Sequence, residues 1–167
     1  IDYVPCAFLD TYNPHAVFSY IDRYGRYAFN KQPSIALWNI ERFTQSLVGC
    51  MSKEAKQAVK KLLANFPNEF EKHYHTMLCA KIGLQPTKKH IKLAYELLQW
   101  MYDNKADYTN TFCALTYEEV SSTTYNNNAE FMEWVAQWLQ CIHATKAQSL
   151  SLMREKNPVI IPRNHQV

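Results

Sequence analysis

The chain has 167 residues, of which 47% are hydrophobic and 14% aromatic, so it is long and apolar enough to bury a globular core. A formal charge of +3 without a basic stripe argues against nucleic-acid binding, and no apolar run approaches the roughly 18 residues of a membrane span. Only 3 glycines argue against a turn-rich all-β fold and against glycine-rich phosphate loops. The five cysteines form no C-x-x-C pair, which favours reduced thiols in an intracellular protein.

Residues 1–33 predict a loop-rich arm. The first ten residues alternate loosely between apolar and polar and contain Pro5, which indicates the end of a strand followed by a loop. Residues 11–14 are a turn signal, and no period holds for long between residues 15 and 31. Because this irregular stretch is longer than an ordinary connector, a functional segment is favoured.

Helical periodicity starts after Pro33 and predicts a helical body over residues 34–156. Ser52 is suited to cap the second helix, and Pro67 is expected to interrupt it, because the residue before a proline avoids helical geometry. Gly83 is expected to close that helix. The apolar face predicted for the first helix, and expected to pack into the core, consists of Ile35, Trp38, Phe43 and Leu47.

The second half of the chain continues the helical pattern. Thr87 is expected to cap a long helix, and Asn128 to cap another whose core face includes Trp134 and Trp138. Short helices are predicted over residues 107–115 and 147–155, a mobile surface loop over residues 121–128, and an extended tail over residues 157–167. The pattern therefore predicts one all-α domain, 1–167, of about six helices.

Two kinds of potential metal ligand occur in the chain. Asp2 follows a predicted strand end and precedes an aromatic residue, where kinase-like enzymes place a metal-binding carboxylate. An aspartate followed by an aromatic residue is more often an ordinary surface or turn aspartate. His73 and His75 are two residues apart on a predicted helix, so they do not share a face, which disfavours a zinc site.

The sequence contains two groups of basic residues whose function it does not decide. Arg23 and Arg26 flank Gly25 and suit either a phosphate or an anchoring carboxylate such as Asp10 or Asp22. The second group lies on a predicted helix. Such a charged face is most often simply exposed to solvent, and weak binding of an acidic partner is the alternative. It consists of Lys53, Lys56, Lys60 and Lys61.

Several short motifs, spread along the chain in order, resemble those of one family, the kinase-like SelO/YdiU proteins. The family patterns are IDYGP-x-x-F-x-D, GRYA...QP.IA.WN, K-L-G-L, D-x-T-x-x-F and MR..NP..IPRNH. The matching stretches here are 1–10 (IDYVPCAFLD), 25–39 (GRYAFNKQPSIALWN), 81–84 (KIGL), 107–112 (DYTNTF) and 153–165 (MREKNPVIIPRNH).

This resemblance implies part of the C-lobe of a pseudokinase whose full-length parent transfers AMP from ATP, or UMP from UTP, to Ser, Thr or Tyr hydroxyls of proteins. It implies that the chain begins at the kinase-type metal motif, with Asp2 holding Mg²⁺ or Mn²⁺ and contacting nucleotide phosphates. No catalytic residue is expected within the chain, so the fragment alone is predicted to be inactive. Val4 stands where the family has glycine, and Cys113 where an arginine often follows D-x-T-x-x-F.

The same resemblance implies ATP and protein substrates as partners, with neither nucleic acid nor membrane. It implies a cytoplasmic location, or a mitochondrial one for a eukaryotic member. The alternative is a non-catalytic helical module that binds other proteins. The aromatic-rich helices and Val4 favour that alternative.

Overall fold

Six α-helices make up the framework of residues 9–162, which are the residues that the computed structural model describes. This part of the chain contains no strand, only an isolated antiparallel bridge between Thr11 and Asp107, so the all-α prediction is confirmed. None of these helices is both long enough and apolar enough to cross a bilayer. Their bounds are α1 Gln32–Leu47, α2 Lys53–Lys81, α3 Lys88–Asp103, α4 Tyr108–Thr116, α5 Ala129–Ile142 and α6 Lys146–Lys156.

Side-chain caps set where several helices begin. Thr87 Oγ1 accepts a hydrogen bond from His90 N at 3.2 Å, and Asn128 Oδ1 accepts one from Phe131 N at 2.9 Å. Ser52 Oγ accepts a bond of 3.2 Å from the N–H three residues on. Each cap satisfies an N–H that has no partner inside its own helix, and the three cap predictions are confirmed.

Helix α2 runs through Pro67 without a break, so the predicted interruption there is wrong. A proline inside a helix lacks one N–H donor and crowds the preceding turn, at a cost of about 3 kcal/mol. Lysine, leucine and alanine, which favour helices, dominate the two turns before Pro67, and Glu69, Glu71 and Lys72 follow it within a helix of 29 residues. Their summed propensity outweighs the loss at one position.

Contacts divide the described residues into two units, one of residues 14–73 and one of residues 9–13 with 74–162. The second unit holds most of the buried core. Trp134 and Trp138 are buried there as predicted, and their indole N–H groups donate to the carbonyls of Leu93 and Ile82, each at 2.8 Å. The prediction that residues 1–167 form one domain stays a prediction.

The unit of residues 14–73 buries few of its large side chains. Ile35 of α1 is only 8% exposed, as predicted, but Trp38 is 43%, Phe43 66% and Leu47 38% exposed. The expectation that the whole face packs into a core is therefore wrong for the described chain. Within this unit α1 packs mainly against the short helical turns that flank it, Phe29–Lys31 and Val48–Cys50, which are too few neighbours to enclose an apolar face.

Candidate functional site

Asp2, the residue predicted to bind metal and nucleotide, lies outside the described residues. The segment that follows its motif is held by backbone bonds at the start of α4. Tyr108 N donates to Asp10 O at 2.8 Å, and Tyr12 N donates to Ala106 O at 2.9 Å. Residues 10–12 thus have one defined path beside α4.

Five aromatic side chains cluster behind this segment. The rings of Tyr12 and Tyr108 stack at 5.7 Å, those of Tyr74 and Tyr95 lie 6.4 Å apart, and His75 Nε2 lies 3.2 Å from Tyr95 Oη. Burial raises the pKa of Tyr74 to about 12 and also raises the pKa values of Tyr12 and Tyr108. The raised pKa values keep these three phenols protonated at neutral pH, which disfavours a role for them as bases.

Lys81, the last residue of α2, places its ammonium among aromatic rings. Its Nζ lies 5.3 Å from the ring centroid of Tyr108, 4.6 Å from that of Phe112, and 3.5 Å from the carbonyl oxygen of Lys156. Within residues 9–162 no carboxylate pairs with it. Burial lowers the pKa of Lys81 to about 8, and the nearby Cys113 opposes this effect in part.

We expect the Lys81 amine to lose its proton near pH 8 in the folded chain, whereas an ordinary lysine does so near pH ~10.4. Between these two pH values the unfolded chain binds more protons than the folded chain. Burial of the charged Lys81 therefore lowers the free energy of unfolding by its full amount below pH 8, and this penalty disappears as the pH rises to ~10.4. An NMR titration of labelled lysine side chains measures this, and Lys81→Arg identifies the signal. A folded-state midpoint equal to that of the urea-unfolded chain would contradict it.

Three helix C-termini meet at Asn157, the residue that follows α6. Its side chain is 2% exposed and donates to Lys81 O at the end of α2 at 2.8 Å, and to Thr116 Oγ1 at the end of α4 at 2.9 Å. Its backbone N–H donates to Met153 O in α6 at 2.8 Å. Carbonyl groups at helix ends lack partners inside the helix, and the Asn157 side chain donates to one of them, Lys81 O. At the end of α4 it donates to a side-chain hydroxyl instead. We call Lys81, Thr116 and Asn157 the Asn157 junction. The side-chain oxygen of Asn157, Oδ1, has no hydrogen-bond partner within the described residues.

Gly83 lets α6 approach the end of α2 closely. Its φ is +72°, and a Cβ there would lie 2.8 Å from Ser149 O and 2.9 Å from Ser149 Cβ. Nearby, Cys113 Sγ donates to Pro158 O at 3.4 Å. The motif stretches 81–84, 107–112 and 153–158 therefore meet in one place, where the described contacts are packing and helix-end contacts. Sequence reasoning missed this role, although Gly, Thr and Asn at helix ends were its visible signal.

The loop before α1 is organised by Asp22. Its carboxylate accepts hydrogen bonds from Tyr27 N at 2.7 Å and Arg26 N at 2.8 Å, and these bonds hold the pKa of Asp22 below its usual range. The Arg26 guanidinium lies 4.6 Å from the ring centroid of Trp38, and the Arg42 guanidinium lies 5.6 Å from the same centroid. Asp22 thus anchors the loop through backbone N–H groups, and the arginine stacks on an aromatic ring.

Residues 9–162 contain no group of three or more histidine, cysteine, aspartate or glutamate side chains that could hold a metal. His75, one of the two histidines considered from the sequence, instead contacts Tyr95. The metal ligand that the resemblance implies is Asp2, whose geometry is outside this range.

Comparison with known proteins gives a match along the whole chain. The family model described as protein adenylyltransferase SelO matches residues 1–167. A protein nucleotidyltransferase YdiU of Halalkalibacterium halodurans is 41% identical over 174 residues, which is 100% of this chain and 35% of that protein. Proteins of the same name from Pelagibacter ubique and Bacillus cytotoxicus are 41% and 42% identical, over 100% of this chain and 36% and 35% of their own lengths. The chain spans about a third of the length of these relatives, and it belongs to the SelO family.

Proposed function

We propose that this chain is part of a protein adenylyltransferase that transfers AMP from ATP to Ser, Thr or Tyr hydroxyls of proteins, with UMP transfer from UTP as a further reaction. The observation that carries the proposal is the family match over residues 1–167, together with relatives named protein nucleotidyltransferases. In the transfer the hydroxyl oxygen bonds to the α-phosphorus of ATP, its proton is released, and pyrophosphate leaves. The proposed location is the cytoplasm, or the mitochondrion in a eukaryote, which the unpaired spacing of the cysteines supports.

Asp2 is the residue proposed to hold Mg²⁺ or Mn²⁺ and to contact the nucleotide phosphates. Its support is its place in the first motif that resembles the family, after a predicted strand end, which is where kinase-like enzymes carry a metal-binding carboxylate. A divalent ion supplies charge neutralisation and orients the phosphate for attack. We assign no catalytic residue to this chain and propose that the chain alone is inactive, because most of the length of its relatives lies outside the match.

The test uses the full-length protein with ATP labelled at the α-phosphate, Mg²⁺ or Mn²⁺, and a protein substrate. We expect acid-stable label on the substrate, no label when the γ-phosphate is labelled instead, and a fall to background in Asp2→Ala. Asp103→Ala, which changes an exposed aspartate of α3, serves as the control and should label like the unchanged protein. No adduct from the unchanged protein, or equal labelling by Asp2→Ala, would refute the proposal.

The second candidate is a non-catalytic module that binds other proteins through its helices. The observation that favours it is the large number of exposed apolar side chains in residues 14–73, including Tyr24, Phe43 and Leu62. Asp2-dependent binding of nucleotide and metal by the full-length protein, measured by calorimetry, counts against this candidate. Its absence, together with stable capture of a protein partner, favours it over the transferase.

A further inference from the structure

An open apolar groove runs between α1 and α2 within the unit of residues 14–73. Its volume is about 460 Å³. The lining positions recur at helical spacing, so each helix contributes one continuous face. The apolar floor of this α1–α2 groove consists of Leu37 of α1, Val59 and Leu63 of α2, and Val48 and Met51 of the segment that joins the two helices.

Charges border the groove unevenly. Lys56 and Lys60, one helical turn apart, lie on the α2 side, and Glu41 lies on the α1 side. Within the described residues none of the three takes part in an ion pair. The surroundings are basic as well, since residues 14–73 hold nine lysines and arginines against five carboxylates, whereas the rest of the chain holds nine against ten. An acidic ligand is therefore attracted to the α2 side.

The shape and charge together select one kind of ligand. Amphipathic helices bind in apolar grooves through side chains at i, i+3, i+4 and i+7. The floor offers such side chains an apolar strip, in which Val59 and Leu63 lie one turn apart on α2 and Leu37 lies on α1. Carboxylates one turn apart on the ligand can pair with Lys56 and Lys60, which are spaced by the same turn. We propose that the α1–α2 groove binds an amphipathic α-helix of another protein, with carboxylates on the flank that faces α2.

The proposal concerns binding, and it stands whether or not the full-length protein transfers AMP. The probe is a fluorescein-labelled helical peptide with leucines at i, i+3, i+4 and i+7 and glutamates along one flank. Fluorescence polarisation with the 167-residue chain should give saturable binding. A scrambled peptide of the same composition should not bind, because its leucines no longer share a face.

Charge reversal at the groove gives the sharper test. Lys56→Glu with Lys60→Glu should weaken binding about tenfold or more, because it replaces two attractions by two repulsions. The matched control, Lys53→Glu with Lys61→Glu, makes the same charge change on the same helix outside the groove lining and should weaken binding less than about twofold at moderate salt. Both variants change exposed side chains, and circular dichroism verifies their helix content.

Two further measurements complete the test. A peptide with lysines in place of the glutamates should bind the groove variant better than the unchanged chain. Leu63→Ala should weaken binding of both peptides, because it removes part of the apolar floor.

Four results overturn the proposal. They are equal binding of the scrambled peptide, equal loss in the control pair, and a dimer of the chain that the groove variant abolishes, which would mean that a second copy occupies the groove. The fourth is peptide binding by the 167-residue chain that disappears in the full-length protein, which would mean that the rest of that protein covers the groove.

Discussion

Gly83→Ala should lower the free energy of unfolding by about 3 kcal/mol, because it combines backbone strain with a steric clash. The left-handed backbone at φ +72° disfavours any side chain, and the added Cβ meets Ser149 O at 2.8 Å and Ser149 Cβ at 2.9 Å. Those atoms belong to α6, so relief requires the helix to move. Urea unfolding followed by tryptophan fluorescence measures the change, since Trp138 donates to the neighbouring Ile82 carbonyl.

Gly49→Ala is the matched control. A Cβ at Gly49 has nothing within 4 Å, and its φ lies outside the left-handed region. We expect a change of less than about 1 kcal/mol, with a small gain favoured because alanine restricts the unfolded chain. If both substitutions have the same effect, close approach at Gly83 does not limit stability.

Asn157→Ala should cost about 2 kcal/mol, because it leaves one buried and one part-buried hydrogen-bond acceptor without the Asn157 donor. The acceptors are Lys81 O, at 2.8 Å, and Thr116 Oγ1, at 2.9 Å, and Asn157 itself is 2% exposed. Unfolding in urea measures the loss. Asn127→Ala changes an exposed asparagine in the loop before α5 and should leave the midpoint nearly unchanged.

A double-mutant cycle separates the Asn157 bonds from simple loss of packing. Thr116→Val removes the hydroxyl that accepts from Asn157 and keeps a similar shape. Within a coupled junction, the cost of Asn157→Ala should be smaller in the Thr116→Val background than in the unchanged chain. Strict additivity of the two costs would show that the side chains do not stabilise the helix ends jointly.

The features that the sequence predicted correctly depend on interactions between residues that are close together in the chain. The caps at Ser52, Thr87 and Asn128 involve a side chain and an N–H three residues away, so they can be predicted without knowing the fold. The burial of Trp134 and Trp138 follows from their spacing on one helical face. The family assignment also came from ordered motifs, and the match over residues 1–167 confirms it.

Predictions from sequence patterns were wrong or incomplete where residues far apart in the sequence determine the contacts of a side chain. Residues 121–128 are predicted to be a mobile surface loop, and their mobility stays a prediction. Sequence reasoning missed that Tyr125 in this loop packs edge-on against Trp100 at 5.2 Å and that its hydroxyl accepts from Asp107 N at 3.3 Å. Trp38 has core-like spacing but is 43% exposed, and the guanidinium groups of Arg26 and Arg42 lie over its ring at 4.6 and 5.6 Å from the centroid. Composition and periodicity carry no information about which distant segment covers a side chain.

By itself, the amino-acid sequence determined the helical class, most helix starts and the family, because capping, periodicity and ordered motifs act over short distances. Only the tertiary structure decided that Lys81, Thr116 and Asn157 meet, because they lie at the ends of different helices and 35 or more residues apart. It also decided that Lys56 and Lys60 border an apolar groove. Such sites arise from packing between helices, which side-chain spacing along one helix does not specify.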